Sequence, residues 1–86
     1  MLQKLSEPIS VVTAYDHLTR LVRPLSLSWA HRTYPVLHVG LHHTYFRGRS
    51  LQHIFSVASN DLFFRLKLDT TTLHWTLEEV SDGLPE

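Results

Sequence analysis

The feature that most constrains this chain is an alternation of apolar and polar residues that starts at Leu25 and recurs, segment after segment, as far as Val80. Leu25, Leu27 and Trp29 alternate with Ser26 and Ser28, the period of two that puts every second side chain on one buried face of a strand. Residues 53–58 repeat it with Phe55 and Val57, and residues 62–68 with Phe64, Leu66 and Leu68 opposing Arg65 and Lys67. Residues 73–80 close the series, with Leu73, Trp75 and Leu77 on one side and His74, Thr76 and Glu78 on the other. Trp29, Phe55, Leu66 and Trp75 are therefore expected to meet in a single apolar interior.

The connections carry turn chemistry. Ser59, Asn60 and Asp61 suit a short hairpin, because their side chains bond nearby backbone and they tolerate left-handed φ. Residues 69–72 form the next turn, with Asp69 expected to accept backbone N–H bonds and fix the loop. Residues 34–41 are rich in Val, aromatic and aliphatic residues, and Pro35 marks a strand start or an edge. The β-branched stretch ISVVTAY reads as strand, whereas DHLTRLVR has room for two helical turns ended by Pro24. We favour strands over about 8–15 and 20–30, joined by a turn at 16–19; a short helix near 16–23 is the alternative.

The predicted fold is all-β: a five- or six-stranded antiparallel meander forming a strongly bent sheet or small open barrel. One domain spans 7–80, with 1–6 and 81–86 as flexible ends. A chain of 86 residues buries only about 60 to 65% of its unfolded surface, so self-association would offset a limited core. With no cysteine, disulfides and thiolate metal sites are excluded. No apolar run approaches the roughly 20 residues of a membrane-spanning helix, so a cytoplasmic protein without membrane contact is expected.

Eight basic and eight acidic residues cancel, yet they are distributed unevenly. Between His17 and Asn60 there is no Asp or Glu, while Arg20, Arg23, Arg32, Arg47 and Arg49 all fall inside that stretch. The acids Asp61, Asp69, Glu78, Glu79, Asp82 and Glu86 follow it. An electropositive face is expected if the fold keeps the two blocks apart.

Trp29, Tyr34, Val36, Val39, Phe55, Val57, Leu66, Asp69, Trp75 and Leu77 sit in a spaced pattern, RPLSLSWAHRTYPVLHV followed by HIFSV, FFRLKLD and LHWTLEEV. In this pattern the chain resembles a family of short, uncharacterised bacterial all-β domains, some joined to proteins similar to error-prone DNA polymerases. The resemblance implies the fold and a role near DNA repair, but no catalytic residues. The chain departs from the family at His31, where a glycine is usual, which argues against a type I′ turn there. Segment 40–50 also lacks the family's tryptophans.

GLHHTYFRGRS, residues 40–50, is the densest chemical segment. Tyr45, Phe46, Arg47 and Arg49, with Arg32 elsewhere, combine flat surfaces and cations that suit either a protein partner or nucleic acid. Seven histidines raise metal binding as a further reading, with His42, His43 and His53 the candidates. In a strand the adjacent His42 and His43 point to opposite faces, so His53 would have to pair across strands with one of them. No cofactor is expected: there is no phosphate loop, nucleophile elbow or paired-carboxylate spacing, and the chain reads as noncatalytic. The first expectation is a small binding or assembly module acting through protein contact or homodimerisation. Nucleic-acid binding is the alternative, and histidine-based metal binding the second alternative.

Overall fold

The computed structural model describes residues 1–83. It is an all-β half-barrel: one strongly curled antiparallel sheet of seven strands, with no helix among the described residues. The strands are β1 (Leu2–Asp16), β2 (Leu21–Trp29), β3 (Arg32–Pro35), β4 (His38–Arg47), β5 (Ser50–Ser59), β6 (Leu62–Asp69) and β7 (Trp75–Ser81). Their order across the sheet is β3-β2-β1-β7-β6-β5-β4. The first and last strands of the series therefore lie side by side in the middle, and the edges come from strands 3 and 4. No helix among the described residues is long and apolar enough to cross a membrane.

Several boundaries differ from the sequence expectation. Residues 34–41 are two strands, because the chain breaks at Val36 and Leu37 and crosses from one edge of the sheet to the other. Residues 1–6 are not a free end: Leu2, Gln3 and Lys4 pair with Ser81, Val80 and Glu79. The Met1 amino group also pairs with Asp82. Of the expected C-terminal end, residues 84–86 lie outside the described residues. The short helix weighed for residues 16–23 is a turn followed by the start of β2. Leu73, expected on the buried face, lies in the turn before β7 at φ 62° and is exposed.

Curvature comes from register shifts. β1 pairs with β7 through its first half and with β2 through its second, and a bulge interrupts each pairing, between Lys4 and Glu7 and between Val12 and Thr13. At the second, Val12 faces Ser26 and Thr13 faces Pro24, so Leu25 is the extra residue and loses its place on the inner face. A further shift at Gly40 bends β4. Bulges add twist and bend the strand that holds them, which curls an otherwise open sheet.

The concave face holds the core. Leu27, Phe55, Val57, Phe64, Leu66, Leu77 and Val80 are buried there, with Trp29, Tyr34 and Trp75 packed against them. The four residues expected to share an interior do so. Trp29 meets Phe64 edge-on at a centroid distance of 6.1 Å, and Phe55 lies 5.7 Å from Trp75. The indole N–H of Trp29 donates to Glu7 Oε2 at 3.0 Å, so its polar edge is satisfied at the rim. Burying each large side chain contributes about 1.5–3 kcal/mol.

The β2–β3 hairpin is a correction to the turn argument. Trp29 pairs with Arg32, leaving Ala30 and His31 as a two-residue loop at φ 52° and 63°. Both central residues are left-handed, the type I′ pattern, although neither is glycine or asparagine. The right-handed twist of the flanking strands imposes this geometry despite the side chains.

Candidate functional site

The half-barrel closes at one point and opens away from it. The Val36 N–H donates to Leu25 O at 2.8 Å and the Leu37 N–H donates to Ala58 O at 2.9 Å, so two consecutive residues tie β2 to β5. Beyond this tie β2 has lost β3, which pairs only with Ser26–Trp29, and β4 has no neighbour on its outer side. A cleft of about 610 Å³ separates them. Its walls are Leu21, Val22, Arg23, Pro24 and Leu25 on one side and Val36 to Val39 on the other, with His42 and Phe55 also lining it. Asp16 and Thr19 stand at the β1–β2 end.

The two edges of the sheet are unequal. β3 is four residues long and ends in Pro35, features that discourage pairing with another strand. β4 has ten residues, with neither proline nor lysine, and almost all of them are exposed. Its backbone donors and acceptors on the outer side form an available pairing row.

Register assigns the side chains of β4 to faces. Val39, His42, Thr44 and Phe46 lie opposite Val57, Phe55, His53 and Leu51 on the concave side. Leu41, His43, Tyr45 and Arg47 lie opposite Ser56, Ile54, Gln52 and Ser50 on the convex side. Tyr45 and Phe46 thus point to opposite surfaces and do not make one stacking platform. They are 41% and 69% exposed, so neither caps the barrel end. Arg47 closes β4, and Arg49 follows Gly48 in the hairpin turn, where only Gly48 of the two has positive φ, as a type II′ turn requires. Arg32 is separate from these, at the end of β2 remote from the cleft. Of the five candidates drawn from sequence, four gather on one hairpin and Arg32 does not.

The histidines resolve in the same way. His53 lies directly opposite Thr44, and it is the diagonal neighbour His42 that reaches it, Nε2 to Nδ1 at 2.7 Å. The two rings stack with centroids 5.0 Å apart, and His42 lies flat on Phe55 at 4.2 Å and 6°. Burial first, then the charges of His53 and His43, pushes the His42 pKa below its ordinary value. The shift favours the neutral form of His42, and in the contact one ring nitrogen donates to the other. His43, on the other face, takes no part in it. Two donors bonded to each other are too few for a tetrahedral metal centre, and among the described residues no three metal-ligating side chains come together.

Asp69 anchors the turn end of the β4–β5 hairpin. Its carboxylate accepts from Ser50 Oγ at 2.7 Å and from the backbone N–H groups of Thr71 at 2.8 Å and Thr72 at 3.3 Å. Ser50 Oγ accepts in turn from Gln52 Nε2 and Thr71 Oγ1. These bonds hold the Asp69 carboxyl down at about 2, the Ser50 bond contributing most. The role is the one expected from the Thr-rich turn.

The β2 wall of the cleft is absent from the sequence reading. Its one signal was Pro24 inside an otherwise strand-like stretch, since proline sits where no ladder bond is made.

Strand order turns the uneven charge into geometry. The acid-free stretch 17–60 supplies β2, β3, β4 and β5, the two margins of the sheet, while the acids fall on or beside the central strands. There Glu78 is met by Arg65 Nε at 3.4 Å and Lys67 Nζ at 3.8 Å. Among the described residues the five marginal arginines have no ion-pair partner.

Compared with known proteins, the chain matches no family model, no curated protein and no solved structure.

Proposed function

We propose that this protein is a noncatalytic binding module that docks an extended segment of a protein partner on the open edge of β4. The observation that carries this reading is the long, exposed ten-residue edge bordering a cleft, in a domain whose other edge is short and ends in proline. Strand addition takes affinity from main-chain hydrogen bonds and selectivity from alternate side chains, both of which this edge offers. Self-pairing of two β4 edges is the weaker form, because β4 carries arginine and histidine but no carboxylate to pair with them across the contact.

Nucleic-acid binding through residues 45–49 is less favoured, because the opposite directions of Tyr45 and Phe46 remove the shared stacking surface. One experiment separates the readings. Peptides selected from a random displayed library are added to the labelled protein, and single-stranded DNA is titrated in parallel against the wild type and the Arg47→Ala/Arg49→Ala double variant. Strand docking predicts slowed amide exchange along β4 with peptide, and loss of peptide binding in Leu41→Lys, a change that places an edge-protecting cation beside the pairing row. Peptides that bind without altering β4 exchange overturn it, as does salt-sensitive DNA binding that disappears in the arginine variant.

A further inference from the structure

We infer that the docked segment is an acidic strand of another protein, alternating apolar and carboxylate side chains, which fills the gap between β2 and β4; this rests on the strand-docking reading above. Both walls of the gap come from the stretch of chain that has no acid, and Asp16 is the single carboxylate lining it. A strand laid between the walls has an inner and an outer row of side chains, in line with those of its neighbours. The inner row meets Val22 and the His42 ring stacked on Phe55.

The outer row meets cations. Arg23 lies between half-buried Val22 and buried Pro24, so it belongs to the outward row of β2. Arg47 shares the outward row of β4 with Tyr45. Neither has an ion-pair partner among the described residues, in contrast to Arg65 and Lys67 on the central strand, which share Glu78. Carboxylates on the outer row of an incoming strand would supply the missing partners, and their long-range attraction would speed encounter. The β4 strand of a second copy brings no carboxylate to these arginines and is the poorer occupant.

The test uses three capped peptides that differ only in the residue alternating with Val, namely Glu, Gln or Lys, with affinity read from amide shifts of β4. The expected result is that the Glu peptide binds roughly fivefold more tightly than the Gln peptide, the sum of a few exposed ion pairs. The Lys peptide should be weakest. The advantage of Glu should vanish in Arg23→Gln/Arg47→Gln and shrink at high salt. Equal binding of the Glu and Gln peptides, or a Glu advantage that survives both arginine changes, overturns the acidic partner while leaving strand docking intact. If no peptide perturbs β4, strand docking itself fails and the inference goes with it.

Discussion

His42 Nε2 lies 2.7 Å from His53 Nδ1, across a diagonal of the β4–β5 ladder, while the His42 ring lies flat against Phe55. A single proton serves this contact. Protonating His42 sets a cation beside an apolar floor, which makes His42 the acid-sensitive point of the open edge.

The sign follows from the lowered His42 pKa. The folded state prefers neutral His42, so its stabilising contribution is complete above the ordinary value of 6.5 and is lost as pH falls through the depressed folded value. Thermal melts should therefore show the wild type losing stability as the pH falls below the ordinary 6.5, and His42→Phe, which keeps the stack on Phe55, losing less. The neighbouring His53 and His43 add to the effect of burial. Parallel pH profiles for the two proteins would sink the assignment.

The Ala30–His31 loop carries removable strain. A non-glycine residue in left-handed backbone costs about 1–2 kcal/mol, and glycine removes most of that cost at the price of some unfolded-state entropy. His31→Gly should stabilise the domain by about 0.5–1 kcal/mol in urea unfolding, with the slope unchanged. A destabilised variant would mean that the His31 side chain contributes something its position does not suggest.

Asp69 sets the acid limit at the other end of the hairpin. Its folded pKa of about 2 lies below the ordinary 3.8, so the stability it contributes is present above 3.8 and is lost as pH falls toward 2. Asp69→Asn should be less stable than the wild type at neutral pH and show a flatter acid limb. Hydrogen exchange should locate the added opening at Ser50 and Thr71, where the carboxylate bonds are made.

Much of the core was legible before any coordinates. Phe55, Val57, Phe64, Leu66 and Leu77 are inward in the structure because each lies in a strand that is buried on its concave face. β4 was harder to read. As an edge strand outside the core its residues are exposed on both faces, so His42 to Arg47 show no apolar alternation and looked like a site rather than a strand. Leu25 was misplaced by a bulge that shifts register by one, an event that no local pattern announces. Of the histidine contacts, the opposition of His42 and His43 could be read from the pleat, but the choice of His42 for His53 required the ladder.

The amino-acid sequence by itself determined which side chains turn inward, since the period of two is a local consequence of strand geometry and needs no partner. It also determined that the middle of the chain would be free of acids. Only the tertiary structure decided that this middle stretch would form both margins of an incompletely closed sheet, with a histidine pair and a cleft at the opening. Such contacts join residues far apart in the chain, and their register depends on where bulges fall and where Val36 and Leu37 cross, quantities set by the closure of the whole sheet.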